Sequence, residues 1–278
     1  MPAAASIVVP TRNRAGYLRV CLDSMRTQHV DAQFEVIVVD DGSTDETPAV
    51  ADGAGAKLVR IEARGPNAAR NAGLQAADGE LIVFVDDDVA APPGWLAAYL
   101  DGAQRHPDAD AFGGPIRARF EGRAPRSCGR EPAPITTLDL GPDDREAEFV
   151  WGANMAIRRR AFDRLGTFDE TLPQFGEEEE WMTRLRDTGG TVVYLADAQL
   201  DHRREEGDAR LGALVRGAYL RGQRLRLHDV RRGSPPSLAR ELRVLVGCGW
   251  HTARYACPQG LVMGAHSLGR VRATVRPR

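Results

Sequence analysis

The run Leu81-Ile82-Val83-Phe84-Val85, followed at once by Asp86-Asp87-Asp88, constrains this chain more than any other stretch. Five consecutive apolar residues, rich in β-branched side chains, predict a strand buried on both faces. Such strands belong to parallel sheets covered by helices on either side. Three carboxylates at the end of a buried strand repel one another unless a cation or hydrogen-bond donors neutralise them. Strand ends of this kind are also where open α/β sheets bind ligands. A solvated acidic turn would carry the same letters, so the flanking pattern has to decide between the two.

That pattern is alternating. Ile7-Val8-Val9 predicts a short strand ended by Pro10, then the polar turn Thr11-Arg12-Asn13-Arg14. Leu18, Cys21, Leu22 and Met25 follow at helical spacing over 17–26. Phe34 to Val39 is a second strand, and Asp40-Asp41-Gly42-Ser43-Thr44-Asp45 follows it, with Ser43 or Thr44 placed to cap the next helix. Leu58-Val59-Arg60-Ile61 is a third strand, and Asn67 opens a helix over 68–76. Strands alternating with helices predict an α/β fold, a mostly parallel Rossmann-like sheet flanked by helices. Two strands then end in consecutive aspartates, which neighbouring strand ends would bring to one crevice. Neither a G-x-x-x-x-G-K-[ST] nor a G-x-G-x-x-G follows the first strand. A nucleoside diphosphate bound here therefore needs its phosphates neutralised in another way, and a divalent cation held by carboxylates is the direct route.

At 278 residues the chain can bury a full core, and its net charge of -2 hides an asymmetry. From Gly207 onward, 14 arginines stand against Asp208, Asp229 and Glu241, so a basic tail follows an acidic body. Leu211, Leu214, Val215 and Ala218, then Leu242, Leu245 and Val246, make apolar stripes in that tail. Two or three amphipathic helices are expected over 207–278. They either pack on the preceding domain or make peripheral contact with an anionic membrane. Cys21, Cys128, Cys248 and Cys257 show no zinc or C-x-x-C spacing, which predicts free thiols in a reducing compartment. No apolar run approaches the roughly 20 residues of a spanning helix. The expectation is a cytoplasmic protein, peripheral on the membrane if the tail binds lipid, with no nucleic-acid partner.

Four segments in order carry a family resemblance: Ser6-Ile7-Val8-Val9-Pro10-Thr11-Arg12-Asn13, Val38-Val39-Asp40-Asp41-Gly42-Ser43-Thr44-Asp45, Ala69-Arg70-Asn71-Ala72-Gly73 and Phe84-Val85-Asp86-Asp87-Asp88. Together they resemble the family 2 glycosyltransferases, inverting enzymes of the GT-A fold. Phe149 to Ile157, Gly166 to Glu170, Gly176 to Leu185 and the late Val192-Val193-Tyr194 with His202 extend the likeness to about residues 6–206. The resemblance implies a GT-A domain over 1–206, with a donor half over about 1–90 and an acceptor half over about 91–206.

It also implies roles. Asp88 would bind Mn²⁺ or Mg²⁺ directly, Asp86 directly or through water, and His202 as third ligand; oxygen donors with one imidazole suit these ions. Asp41 would read the base, uridine by family habit, with Asp40 beside it. Pro10, Thr11, Arg12 and Asn13 would wall the base and ribose, Arg70 would approach the diphosphate, and Asp87 would meet the donor's sugar or ribose. Trp151, Gly152 and Asn154 would face the acceptor, and Trp181 would stack on it. Inversion needs a base for the acceptor hydroxyl. Glu178 is the first choice and Glu177 the second, since this sequence has Glu where the family usually has Asp. Two other readings are a sugar-phosphate nucleotidyltransferase and a GT-A-fold binding or scaffold protein without turnover.

Overall fold

The computed structural model describes residues 3–124, 135–172, 177–231, 233 and 235–275. Its elements run β1 (Ala5–Thr11), α1 (Ala15–Arg26), β2 (Phe34–Asp41), α2 (Thr47–Gly53), β3 (Lys57–Ile61), α3 (Pro66–Ala76) and β4 (Leu81–Val85). There follow β5 (Val89–Ala90), α4 (Trp95–Arg105), β6 (Ala111–Gly113), β7 (Ile116–Glu121), β8 (Arg145–Glu146), β9 (Asn154–Arg158) and α5 (Arg159–Leu165). The chain ends with α6 (Glu177–Asp187), β10 (Val192–Tyr194), β11 (Leu200–Glu205), α7 (Leu211–Arg231), α8 (Leu238–Tyr255) and α9 (Gln259–Val275).

The main sheet has the order β3-β2-β1-β4-β9-β6-β10-β8. Its first four strands are parallel, as their unbroken apolar runs predict. β9 then runs antiparallel to both β4 and β6, so the sheet is mixed in its second half. β4 lies in the middle, every residue of it buried, between β1 and β9. The aspartates after Val85 thus leave the centre of the sheet.

Two strand ends run past their sequence reading, β2 continuing beyond Val39 through Asp41. β1 does not stop at Pro10 but continues through Thr11, in register with Val39 and Asp40 of β2. Proline is tolerated because pairing with β4 has ended at Val8↔Phe84, leaving that edge of β1 without a ladder to feed. The extra residues carry the loop after β1 toward the end of β4. Neither Ser43 nor Thr44 caps α2, whose N-cap is Glu46 without a side-chain bond. Ser43 Oγ instead accepts from Asn13 N at 2.8 Å, and Asn13 Oδ1 accepts from Thr44 N at 2.8 Å. The β1–α1 and β2–α2 loops are therefore stitched together. Asn13 sits at φ 53°, a left-handed conformation that asparagine tolerates better than most residues.

The chain divides into two compact units. The first comprises 3–118, 137–171 and 177–203; the second comprises the described part of 119–136, residue 172 and everything from Arg204. In the first, α1, α2 and α4 cover one face of the sheet through Leu18, Leu22, Val50, Trp95 and Tyr99, and α3, α5 and α6 cover the other through Ala69, Leu74, Phe162, Trp181 and Leu185. In the second, Leu214, Ala218 and Val262 form a small core between α7 and α9. Cys21, Cys248 and Cys257 are free thiols, and Cys128 lies outside the described residues.

The contact of α3 with the sheet depends on Gly73. A Cβ there would lie 2.3 Å from Val8 Cγ1 and 3.1 Å from Val39 Cγ2. Gly73→Val is expected to destabilise the fold by about 1–3 kcal/mol through overpacking, read from urea unfolding. An unchanged midpoint would show that α3 has room to retreat.

Candidate metal and donor site

Two short strands assemble the site. β5 begins immediately after Asp88 and pairs antiparallel with β11, His202 opposite Val89. Arg203 N donates to the Asp88 carbonyl at 2.7 Å and locks this register. His202, more than a hundred residues downstream in sequence, thereby lies with Nε2 3.1 Å from Asp88 Oδ1, both residues buried. One ligand atom each from Asp86, Asp88 and His202 falls within 4.8 Å of the others.

The three aspartates separate by environment. Asp87 is held by Arg14 and Thr11. Its Oδ1 pairs with Arg14 at 2.9 Å, its Oδ2 accepts from Thr11 Oγ1 at 2.7 Å, and it is buried. Thr11 is likewise buried and spent on that bond. Arg14 also reaches Asp88 Oδ2 at 2.9 Å, so one guanidinium clamps two adjacent carboxylates. Its other flank lies 4.3 Å from the centre of the Tyr17 ring, on whose ring Arg203 also lies, 5.5 Å from the centroid. Asp86 is the most open of the three, its side chain 40% exposed, with Arg70 3.7 Å away.

Charge is crowded here. Although one side of the Asp86 carboxylate is open, the protein packed around the rest of it strips away water and, with the Asp88 carboxylate second, pushes its pKa above the ordinary value despite Arg70 and His202. Burial likewise raises Asp87, against the pull of Arg14. A divalent cation between Asp86, Asp88 and His202 would relieve this crowding, and two hard carboxylates with one imidazole fit Mn²⁺ or Mg²⁺. The residues present fit the ion.

Arg70 links this cluster to the carboxylate expected as base. It is 5% exposed on α3, 3.7 Å from Asp86 Oδ1 and 3.3 Å from Glu178 Oε1. Glu178 Oε1 also accepts from Gly152 N at 3.2 Å. A Cβ on Gly152 would stand 2.2 Å from that oxygen, so glycine is required for the carboxylate to sit there. Gly152 thus belongs to the site by shaping Glu178. The side chain of Glu177 lies outside the described residues.

Asp40 and Asp41 are buried at the end of β2. Asp40 accepts from Ser43 N and pairs with Arg60 at 3.1 Å. Both oxygens of Asp41 accept backbone N–H groups, from Arg64 at 2.7 Å and Gly65 at 3.0 Å. Asp41 therefore anchors the start of α3, the helix that carries Arg70; a carboxylate's four lone-pair positions leave it capacity for a base N–H. Pro10 is half-buried, and Arg12 and Asn13 are exposed at the mouth of the loop.

Two of the expected acceptor residues are core residues. Trp181 is fully buried against Phe162 and Phe168, and its Nε1 donates to the Gly166 carbonyl at 3.0 Å. Trp181 lies on the side of α6 that packs on the sheet. Asn154 is fully buried: its Oδ1 accepts from Trp95 Nε1 and Tyr99 Oη, and its Nδ2 donates to the Pro115 and Ala198 carbonyls. It is a fully bonded core bracket and presents nothing to an acceptor. Trp151 is the exposed indole, 38% accessible and edge-on to Phe149. Arg14, Tyr17 and Arg203 had no expected role; adjacent arginines at 12 and 14 read alike until β1 and α1 turn one outward and one inward.

The family model for glycosyl transferase family 2 matches residues 6–166, more than half of the chain. The chain belongs to glycosyltransferase family 2. It is 33% identical over 219 residues to the pre-mycofactocin glycosyltransferase of Mycobacterium tuberculosis, covering 73% of this chain and 44% of that protein. This family 2 chain thus spans less than half the length of that relative. It is 26% identical over 212 residues to the glucosyl-dolichyl phosphate glucuronosyltransferase of Haloferax volcanii, covering 71% of this chain and 68% of the relative. Among solved structures, Staphylococcus aureus TarS aligns with a TM-score of 0.55 at 25% identity over 77% of this chain and 39% of that one. A mannosyltransferase from Pyrobaculum calidifontis, solved with GDP-Man and Mn²⁺, aligns over the whole chain and 77% of its own, with a TM-score of 0.58 and 21% identity. The fold is GT-A.

Two outcomes are expected. Mn²⁺ affinity, measured by calorimetry, falls at least tenfold in His202→Ala and Asp88→Asn. It also weakens as the pH falls, because protons compete with the ion for the raised Asp86 carboxylate. Asn154→Leu leaves two buried donors and two carbonyls without their partner and costs about 2–5 kcal/mol in urea unfolding; a near-neutral result would contradict the bracket role.

Proposed function

We propose that this chain is an inverting glycosyltransferase that moves a sugar from a nucleoside-diphosphate sugar, uridine-linked, to a hydroxyl acceptor with the help of Mn²⁺ or Mg²⁺. The observation that carries the reading is Arg70, buried between Asp86 of the ion cluster and Glu178. The Arg70 guanidinium lies against both carboxylates and so fixes Glu178 close to the ion cluster, which supports a base and a leaving diphosphate on either side of one anomeric carbon, as a single displacement requires.

Asp86, Asp88 and His202 would hold the divalent ion, which would supply neutralisation of the charge growing on the leaving diphosphate. The chain's own residues do the rest. Arg14 fixes Asp87 and Asp88 so that the ligand oxygens cannot swing apart. Asp41, through Arg64 and Gly65, sets the start of α3 and with it the position of Arg70. Gly152 N–H and Arg70 hold Glu178 in one orientation, from which it takes the acceptor's hydroxyl proton as the oxygen attacks the anomeric carbon. Trp151 offers an exposed indole face near this carboxylate for the acceptor's apolar surface.

The family assignment sets aside the nucleotidyltransferase reading. Against a scaffold without turnover stands the ionisable Glu178, held by two donors that core packing alone does not call for. Glu178→Gln is expected to lower sugar transfer by about 10²–10⁴-fold, with donor affinity unchanged. Gly152→Ala should lower it too by displacing the carboxylate, and excess EDTA should abolish it. Donor turnover is followed as release of nucleoside diphosphate across a panel of nucleotide sugars. Undiminished turnover in Glu178→Gln would remove Glu178 as the base and leave Glu177 as the carboxylate to test.

A further inference from the structure

Helix α8 presents two different long faces. Glu241 is buried and accepts from Arg270 Nε of α9 at 2.6 Å. Thr252 and the Cys248 carbonyl come close to Gly260 of α9. These residues define the side on which α8 packs within the second unit. The opposite side is uncovered: Leu238 is 41% exposed, Leu242 48%, Val246 73% and Trp250 68%. At 100° per residue these four, spaced four apart, form a single apolar strip along the helix, with Ala239 and Ala253 on the same arc. Arg240, Arg243 and Arg254, all exposed, lie together on the adjoining arc. The helix has one acid, Glu241, and it is turned inward.

Four large apolar side chains in a row are not a scatter of ordinary surface residues. Their neighbours identify the partner. An arginine rail with no exposed carboxylate along the helix suits a surface that is apolar inside and anionic outside. A second copy of the same face would set arginine against arginine, which disfavours self-association. Trp250 adds a ring suited to a headgroup boundary. No helix among the described residues is long and apolar enough to cross a membrane, so contact of this kind lies along the surface. We propose that α8 is an interfacial helix that docks the protein on an anionic phospholipid bilayer. Leu238, Leu242, Val246 and Trp250 enter the headgroup–acyl boundary, and Arg240, Arg243 and Arg254 contact lipid phosphates. α9 carries a second exposed line, Leu261, Leu268 and Val275 at seven-residue spacing. The proposal does not rest on it.

The test uses the full chain and vesicles of phosphatidylcholine with or without one third phosphatidylglycerol. Co-sedimentation is expected with the anionic vesicles and only weakly with pure phosphatidylcholine. Arg240→Gln/Arg243→Gln/Arg254→Gln should weaken binding about a hundredfold at low salt. Leu242→Glu/Val246→Glu should abolish it, both variants keeping the wild-type circular dichroism and melting temperature. Brominated acyl chains should quench tryptophan emission in the wild type and much less in Trp250→Phe. Equal sedimentation of wild type and the arginine variant on anionic vesicles would overturn the proposal. So would a solution dimer that Leu242→Glu/Val246→Glu converts to monomer, because the strip would then be a protein interface.

Discussion

Carboxylate repulsion at the end of the central strand is the constraint on which the rest of the site depends. Asp86, Asp87 and Asp88 follow a strand with no exposed residue, so water cannot neutralise all of them. The structure answers with partners from four separate elements: Arg14 before α1, Thr11 from β1, Arg70 from α3 and His202 from β11. Each partner is used differently. Arg14 and Thr11 each take one oxygen of Asp87, while Asp86 and Asp88 each place an oxygen close to His202.

The same logic of buried polar groups held by exact partners extends outward. Asp41 anchors the N-terminal end of α3, α3 delivers Arg70, and Arg70 reaches both Asp86 and Glu178. Gly152 keeps the space that Glu178 occupies. Asn154, two residues on, ties Trp95 and Tyr99 of α4 to the carbonyls of Pro115 and Ala198, and so fixes the strand from which this segment departs. Positioning a carboxylate to within a fraction of an ångström needs rigid support of this kind. The Asp86–Asp88–His202 cluster and Glu178 are therefore one mechanical assembly with Arg70 at its centre.

Much of this was legible in the letters. Apolar runs without alternation announced buried parallel strands, and β4 spans the Leu81–Val85 run that pattern predicted. The order of the aspartate-ended strands pointed to one crevice. What sequence could not rank was direction. Trp181 and Asn154 were expected at the acceptor because they flank or share segments with site residues, yet both side chains point into the core. Arg12 and Arg14 differ by two positions, and only the path of β1 past Pro10 turns Arg14 inward. On α8 the apolar residues were visible as an amphipathic stripe, but which of them pack and which face outward depended on where Glu241 meets Arg270.

The sequence by itself determined the fold class, the family and the residue types of the ion cluster, because periodicity and short motifs are local properties of the chain. Tertiary structure decided which partners each of three adjacent aspartates meets, Thr11 and Arg14 at Asp87, Arg14 and His202 at Asp88, and Arg70 at Asp86. It also showed how His202, which the resemblance had named, is carried to Asp88, and that Arg70 reaches both Asp86 and Glu178. Those choices rest on pairings between residues far apart in the chain, such as β5 with β11. Such pairings are selected by the burial and hydrogen bonding of the whole sheet and leave no local mark in the sequence.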